Sequence, residues 1–375
     1  KEPTNMMHRL ERTFAGRQLR IECGRLAKQA SGSALIQFGE TVVLAAASVA
    51  DTISNLPFFP LLVEYREKFY AAGKIPGGFL KREARPHDEE ILAARLIDRT
   101  IRPLFPEGFQ NEVQVYVYVL SADQENDADV LGMVAASFAL ASSKIPFAGP
   151  VAGVRVGRVE GKWILNPTFQ QLEFSDVDIV VAGSKDSIMM VEGGAGEISE
   201  DELLAAFKVA QVGLQELVGM QDELLAKHQV PKMEWQKPEP PAALLKRVKE
   251  IAEPRVSEAM NLPMKEERSQ ALSALFSTVV EQLQGEFPDD AKLIAELLSD
   301  VEYRAMRAQV LERGERVDGR DTKTVRPISC EVGVLPRVHG SALFTRGQTQ
   351  ALATVTLGSV DDEQRIDNID VPRET

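Results

Sequence analysis

The stretch Gly32–Ala45, with the sequence GSALIQFGETVVLA, decides the fold because it occurs a second time in the chain. Its counterpart is Gly340–Ala353, GSALFTRGQTQALA, and eight of the fourteen positions are identical at a constant offset of 308 residues. So many matches in one register indicate a duplicated domain. Each copy combines an apolar segment, a turn at a glycine and a segment rich in small and β-branched residues, which predicts a β-hairpin.

The residues after the first hairpin predict a domain of mixed α and β structure. Alternating or apolar segments predict strands at 113–119, 151–159 and 176–182. A long helix is expected to begin at Ser199, since Glu202 completes a capping box three residues later. Strands with long helices between and after them are typical of an α+β (mixed α/β) domain, which we place at 8–230.

Two further regions follow the first domain. The proline-rich segment Lys237–Pro241 predicts a linker, and 242–312 is helical in pattern, with expected breaks near Pro254, Pro263 and Pro288. We interpret 242–312 as a small domain of three or four helices, and favour a role as spacer over a role in ligand binding. The second copy begins near 316 and extends to 375. The roughly 55 residues that follow Gly319 cannot bury a core like that of the first copy, so this domain is expected to be incomplete.

The composition limits the class of protein. Hydrophobic residues make up 44% and charged residues 26%, the balance of a soluble globular protein. The longest apolar run, Thr41–Ala50, is about half the length of a membrane span, so we expect no membrane partner and a cytoplasmic location. Cys23 and Cys330 fit no disulfide or metal-site spacing and are expected to be reduced thiols.

One basic segment stands out against a net charge of −13. Lys74–Pro106 contains seven Lys or Arg and five Asp or Glu, so it carries +2 while the remaining chain carries −15. Such an element can attract a polyanion to one place. Its glycine-rich loop sets Phe79 and Leu80 beside Lys81 and Arg82, a combination that can stack on bases and contact phosphates of single-stranded nucleic acid. The same composition also fits an ordinary exposed loop.

The segment after this loop predicts a helix with a cationic face. Three acids, at 88–90, suit a helix N-terminus, and Pro103 suits its end. Between them Arg95, Arg99 and Arg102 fall at i, i+4 and i+7, which places three guanidinium groups on one face. Anion binding and a merely solvated face both remain open from this pattern.

Other constellations give no catalytic or metal-binding assignment. The four histidines are scattered, and neither a phosphate-cradling Walker loop nor a nucleophile elbow is present in the sequence. Asp176 and Asp178 alternate along a predicted strand, a pattern that fits a solvated strand edge better than a metal site.

Five motifs closely resemble the polynucleotide phosphorylase family, and the similarity spans about Leu19 to Gly358. They are FYAAGKIPGGF at 69–79, RLIDR at 95–99 with IRPLFP at 101–106, RVDGR at 316–320, GVLPR at 333–337 and HGSALFTRG at 339–347. The resemblance implies two ribonuclease-PH-like domains flanking a helical domain, assembled as a homotrimeric ring that threads single-stranded RNA. It also implies inorganic phosphate and Mg²⁺ as requirements of the complete enzyme, and possible partner proteins of an RNA-degradation complex.

The resemblance assigns roles to particular residues of the basic segment. The loop with Phe79, Lys81 and Arg82 would form the constriction of the RNA channel. Together with Arg85, the helical arginines would lie along the RNA or phosphate path: Arg95, Arg99 and Arg102. The family often has two aromatics and two arginines in the loop, whereas this chain has Leu80 and Lys81 at two of those places, so the grip on bases should be weaker.

The first copy is expected to be catalytically silent, as it usually is in the family. Asp127, Ala128 and Asp129 stand where the active copy has phosphate-binding serines, and carboxylates there would repel phosphate. Asp178 matches one metal-binding aspartate, but Leu172 stands in place of its partner. The residues of the active copy would lie beyond Thr375.

The sequence therefore favours a processive 3′-to-5′ phosphorolytic exoribonuclease that releases nucleoside diphosphates from RNA during mRNA degradation. In that hypothesis this chain gives the RNA channel and the trimer scaffold. The alternatives are a non-catalytic RNA-binding ring or scaffold and an unrelated metabolic transferase.

Overall fold

A computed structural model describes residues 7–56, 58–77, 79–228, 230–235, 239–262, 264–363 and 368–369. The chain forms two compact units. Unit 1 comprises Lys1–Lys237 with Gln364–Thr375, and unit 2 comprises Pro238–Glu363. The predicted domain boundaries, 8–230, 242–312 and 316–375, stay predictions.

Unit 1 begins with a sheet of six strands in the order β1-β2-β3-β4-β6-β5. The strands are β1 (His8–Phe14), β2 (Arg17–Cys23), β3 (Gly32–Phe38), β4 (Thr41–Ile53), β5 (Leu61–Glu67) and β6 (Asn111–Ser121). Neighbouring strands are antiparallel except β5 and β6, which are parallel. The predicted alternation along β6 is confirmed, because its four valines are buried in the core.

A second, antiparallel sheet of unit 1 has the strand order β10-β9-β7-β8. Its strands are β7 (Ala152–Val159), β8 (Lys162–Leu165), β9 (Val177–Gly183) and β10 (Ile188–Ala195). The helices of unit 1 are α1 (Asp88–Ile101), α2 (Ala128–Ala141), the short α3 (Phe169–Leu172) and α4 (Glu200–Lys227). Helix α2 is apolar and almost wholly buried, and it packs on β3 and β4 of the first sheet and on β7 of the second. The core of unit 1 therefore surrounds α2.

Helix α4 begins where the sequence predicts. Ser199 accepts a hydrogen bond from the backbone N–H of Glu202, and the Glu202 carboxylate accepts one from the backbone N–H of Ser199. By length and composition alone α4 could cross a membrane. Its contacts with β7, β8 and β9 are those of a helix packed on a sheet, and nine of its residues are buried.

Unit 2 contains three helices within the described residues: α5 (Ala242–Met260), α6 (Lys265–Gln284) and α7 (Ala291–Arg313). They enclose a separate apolar core. The predicted break near Pro254 is wrong, since α5 continues through that residue. Proline removes one helical hydrogen bond, but the apolar stripe of Val248, Ala252 and Val256 is fully buried and keeps the helix packed. Pro263 lies outside the described residues, and Pro288 falls between α6 and α7 as expected.

The second copy of the repeated sequence also forms strands. These are β11 (Ile328–Val332), β12 (Gly340–Arg346) and β13 (Thr349–Val355), paired antiparallel in that order. Ala342 lies opposite Ala353, as Ala34 lies opposite Ala45. The predicted hairpin is confirmed in both copies, with the same register.

Two residues that follow β13 along the chain dock in unit 1. Lys74 Nζ donates to the carbonyl oxygen of Asn368 at 2.8 Å, and Asn368 Nδ2 donates to Glu89 Oε2 at 3.0 Å. Gln124 Nε2 donates to the carbonyl oxygen of Ile369 at 3.1 Å, and the Ile369 side chain is buried in the unit 1 core. The chain thus leaves unit 1 before α5 and enters it again after β13.

Candidate nucleic-acid interface

The loop between β5 and α1 projects an apolar and cationic tip. A short 3-10 turn, Phe69–Ala72, ends at Gly73, whose φ of +68° is the left-handed conformation that glycine adopts without strain. At the tip Phe79 is 99% exposed, and Lys81 also has positive φ. Among the described residues, the Lys81, Arg82 and Arg85 side chains have no hydrogen-bond or ion-pair partner. All four predicted loop residues are therefore free to contact a ligand.

Helix α1 fixes the orientation of the three predicted arginines. Its first turn is acidic, as predicted, and the side chains of Ala93, Ile97 and Ile101 are buried against the core of unit 1. The arginines, however, have different surroundings. Their common spacing does not give them a common role.

Arg95 and Arg99 differ in their partners. Within the described part of the chain, Arg95 has no hydrogen-bond or ion-pair partner. Arg99 Nη1 lies 2.5 Å from Glu192 Oε2 of β10, and both side chains are about half exposed. Such an exposed pair contributes little stability and can exchange its carboxylate for a phosphate.

Arg102 forms hydrogen bonds with the backbone at the start of β5 and with a neighbouring carboxylate. Its guanidinium donates to both carboxylate oxygens of Asp98 at 2.7 and 2.6 Å, and also to the carbonyl oxygens of Phe59 and Leu61 at 3.1 and 3.2 Å. The hydrogen bonds with Asp98 raise the pKa of Arg102. Asp98, four residues earlier on the same helix face, is the sequence signal for this role. RNA contact by Arg102 stays a prediction, but four of its five N–H donors are already used.

A cleft of about 360 Å³ lies between α1 and the second sheet of unit 1. It is lined by Leu92, Arg95, Leu96, Arg99, Arg155, Asp178, Val180, Glu192, Gly193 and Gly194. Of its charged residues, Arg95 and Arg99 were predicted to lie on the RNA path, and Asp178 matched a metal-binding aspartate of the family. Arg155 and Glu192 were missed, because neither belongs to a local motif.

Arg155 neutralises two carboxylates at one end of this cleft. Its guanidinium lies 2.5 Å from Asp127 Oδ2 and donates to both oxygens of Asp178 at 2.7 and 2.9 Å. Burial alone would lower the pKa of Arg155, but the charges of Asp127 and Asp178 outweigh it and raise the pKa. The three residues form a compensated ionic group.

Asp127 also caps α2. Its carboxylate accepts a hydrogen bond from the backbone N–H of Asp129 at 2.8 Å. A helix N-terminus favours an anion, and here the protein supplies its own. A phosphate at this place would meet a carboxylate. Within the described residues, no group of three or more His, Cys, Asp or Glu side chains is arranged to hold a metal ion.

Three protein-family models match this chain. A model described as "3′ exoribonuclease family, domain 1" matches residues 15–146 and again 324–372, and "3′ exoribonuclease family, domain 2" matches 149–213. "Polyribonucleotide nucleotidyltransferase, RNA binding domain" matches 243–321. The double match of the first model agrees with the internal repeat.

Three similar proteins are all named polyribonucleotide nucleotidyltransferase. The protein of Gemmatimonas aurantiaca is 64% identical over 368 residues, which is 98% of this chain and 50% of the relative. Those of Geotalea uraniireducens and Geobacter sulfurreducens are 51% and 48% identical, over 95% and 96% of this chain and 51% and 52% of the relatives. The chain belongs to the polynucleotide phosphorylase family. It spans about half the length of the curated relatives it matches.

Membership of the polynucleotide phosphorylase family confirms the predicted order of a ribonuclease-PH-like domain, a helical domain and a second ribonuclease-PH-like segment. The interpretation of the helical domain as a spacer fits less well, since the matching model carries an RNA-binding description. The contacts predicted for individual residues of the basic segment stay predictions.

Proposed function

We propose that this protein acts in phosphorolytic 3′-to-5′ degradation of RNA and that unit 1 grips the RNA strand. The observation that carries the proposal is a set of side chains in the basic segment that have no polar partner among the described residues, in a chain of this family. They are Phe79, Lys81, Arg82, Arg85 and Arg95. Their chemistry is that of a single-strand binding surface, with one ring for stacking and four cations for phosphates.

The charge distribution supports this role. The chain carries −13 overall, so phosphates are attracted only where cations are concentrated and unpaired. Arg99 can join the surface by exchanging Glu192 for a phosphate, whereas Arg102 is held by Asp98 and two carbonyl groups. The predicted path therefore runs from the loop tip to Arg95 and Arg99.

In the proposed reaction, an oxygen of inorganic phosphate bonds to the phosphorus of the last phosphodiester of RNA, and the bond from that phosphorus to the 3′ oxygen of the preceding nucleotide breaks. The products are a nucleoside diphosphate and an RNA shortened by one nucleotide with a free 3′ hydroxyl. We propose that the first copy is silent in this step. Asp127 occupies the α2 N-terminus, and both oxygens of Asp178 accept from Arg155, so the described residues fit neither phosphate nor Mg²⁺ at this place. Mg²⁺ and phosphate would serve the complete enzyme elsewhere.

The remaining assignments are also proposals. Single-stranded RNA is the ligand, the assembly is a homotrimer that can bind proteins of an RNA-degradation complex, and the location is cytoplasmic. The domains are those set out at 8–230, 242–312 and 316–375. The RNA-binding description of the model that matches 243–321 suggests that the helices of unit 2 also contribute to RNA binding.

One experiment separates this function from the second candidate, a non-catalytic RNA-binding scaffold, which the Asp127–Arg155–Asp178 group favours for this chain alone. The polypeptide of 375 residues is incubated with 3′-labelled poly(A), phosphate and Mg²⁺, and binding and nucleoside diphosphate release are measured separately. Release supports an enzyme, and binding without release supports the scaffold. Absence of RNA binding would contradict both.

A further inference from the structure

The loop with Phe79, Lys81 and Arg82 is closed at its base by Glu83. Glu83 Oε2 accepts a hydrogen bond from Lys68 Nζ at 2.6 Å, and Glu83 Oε1 accepts one from the backbone N–H of Phe69 at 3.2 Å. Lys68 directly follows β5, and the two paired residues are 15 positions apart. A single carboxylate thus joins the start of the loop to the residue just after its cationic tip.

The chain on either side of this contact is held by a second glutamate. Glu90, which is buried in the first turn of α1, accepts from the backbone N–H groups of Glu67 and His87 at 2.8 and 2.7 Å. Arg66 Nη2 donates to the carbonyl oxygen of Ala84 at 3.1 Å. This frame fixes the ends of the loop. Glu83 is the anchored side chain nearest to the tip on the α1 side, and Lys74, which donates to the Asn368 carbonyl, is anchored on the β5 side.

The tip itself has little to hold it. Phe79 is almost completely exposed, and the part of the chain that the structure describes offers no polar partner to the side chains of Lys81 and Arg82. Their positions therefore depend on where the base of the loop is fixed. Lys68 is itself confined, because its ammonium group lies 5.5 Å from the centre of the Tyr118 ring.

We propose that Glu83 is a positioning residue, which holds Lys81 and Arg82 in place for RNA through its contacts with Lys68 and the Phe69 amide. This inference rests on the proposed function, because it assigns a cause to the order of the RNA-gripping loop. Burial raises the pKa of the Glu83 carboxyl, but the hydrogen bonds from Lys68 and Phe69 outweigh that effect and lower it. Glu83 is thus ionised, as the contact with Lys68 requires.

The sign of the effect on RNA affinity distinguishes positioning from simple charge. Glu83→Ala removes a carboxylate next to two cations and frees the Lys68 ammonium, so electrostatics alone predicts tighter RNA binding. Positioning predicts weaker binding, because the loop must be ordered when RNA binds. We expect the Kd for a single-stranded oligoribonucleotide to rise about fivefold, the scale of fixing one or two side chains.

The test compares variants of the full chain by RNA affinity and by the rate of trypsin cleavage after Lys81 and Arg82. Glu83→Ala should raise both Kd and cleavage rate, and Glu83→Gln, which keeps an acceptor for the Phe69 amide, should have a smaller effect. The exchange Lys68→Glu with Glu83→Lys should restore part of the loss. Glu173→Ala is the matched control, because Glu173 is exposed and its removal changes the net charge equally.

A further variant, Lys81→Ala with Arg82→Ala, separates this inference from the function on which it rests. If it weakens RNA binding while Glu83→Ala binds RNA as tightly as the control or more tightly, the positioning role is overturned and the proposed function stands. If neither variant changes RNA affinity, the loop is not part of the RNA path and both proposals are overturned. Circular dichroism verifies that each variant is folded.

Discussion

The two hairpins β3–β4 and β12–β13 have the same pairing in different surroundings. In both, an alanine lies opposite an alanine at the equivalent register position, Ala34 with Ala45 and Ala342 with Ala353. In the first hairpin α2 packs on the strands and buries their inward side chains, whereas every residue of β13 is exposed. Local sequence is enough to specify the hairpin, and a packed helix is needed to make it part of a core.

The shared glycine at the start of each hairpin shows the same difference. A Cβ on Gly32 would lie 2.1 Å from the carbonyl oxygen of Ala139 in α2, a distance that no real contact allows. A Cβ on Gly340 would lie 3.6 Å from Val355 Cβ, which is ordinary contact. In the first copy the glycine permits close approach of a helix; in the second, the structure shows no such demand on it.

The largest expected contrast is in thiol reactivity, since Cys23 in β2 is buried and Cys330 in β11 is exposed. Burial raises the pKa of Cys23 to about 11. Under native conditions at pH 8 we expect Cys330 to react with a thiol reagent on the order of 1000-fold faster than Cys23. Absorbance of the released chromophore measures this. Two thiols titrating at similar rates would mean that the first sheet is not closed as described.

The next contrast is between equivalent positions of the two hairpins, Ile36 and Phe344. Ile36 is fully buried, and Ile36→Ala should lower the free energy of unfolding of unit 1 by about 4 kcal/mol. Phe344 is 42% exposed, and Phe344→Ala should cost under about 1 kcal/mol. Urea unfolding of unit 1, which contains Ile36, is followed by the fluorescence of Trp163 and Trp235, and unfolding of unit 2, which contains Phe344, is followed by far-ultraviolet circular dichroism. Equal losses of unfolding free energy in the two variants would contradict the difference in burial between the two hairpins.

A smaller contrast is expected at the glycines. Gly32→Ala forces β3 away from α2 and should destabilise unit 1 by about 2 kcal/mol, whereas Gly340→Ala should change stability by less than about 0.5 kcal/mol. The same urea titration measures Gly32→Ala, and far-ultraviolet circular dichroism follows Gly340→Ala. A neutral Gly32→Ala would show that α2 can move without cost.

The arginines of α1 extend the comparison to function, with the smallest effects. Arg95→Ala should weaken RNA binding about fivefold and reduce the salt slope by about one, because one phosphate contact is lost. Arg102→Ala should leave the salt slope nearly unchanged and lower stability by about 1 kcal/mol, because it frees two carbonyl groups and Asp98. Fluorescence anisotropy across a salt series measures both slopes. The opposite ranking would place Arg102 on the RNA path.

The sequence predicts those features that depend on neighbours along the chain. The repeated hairpin, the alternating valines of β6 and the capping box at Ser199 each follow from spacing within a few residues, and all are present. The pair of Arg102 with Asp98 is also local, one helical turn apart, but it was not predicted from the sequence. Spacing alone suggested three equivalent arginines, and only the individual partners distinguish them.

Contacts between residues that are far apart in the sequence were not predicted. Arg155 of β7 joins Asp127, which precedes α2, and Asp178, which follows β8 and α3. Arg99 pairs with Glu192, 93 positions later in the chain. The continuation of α5 through Pro254 likewise depends on tertiary packing that overrides local propensity. Pairings of this kind are set by the fold.

The docking of Asn368 and Ile369 in unit 1 gives the chain the topology of a host domain with an insertion. Residues 238–363 are bounded on both sides by segments of unit 1, so the helices and the second hairpin are tethered at both ends. Loop-closure entropy grows only logarithmically, at about 0.6 kcal/mol for each doubling of length, so a long insertion adds little to the cost of closing the host. Closing an insertion of this length costs roughly 4 kcal/mol. Burial of the Ile369 side chain, worth about 2 kcal/mol, offsets about half of that cost.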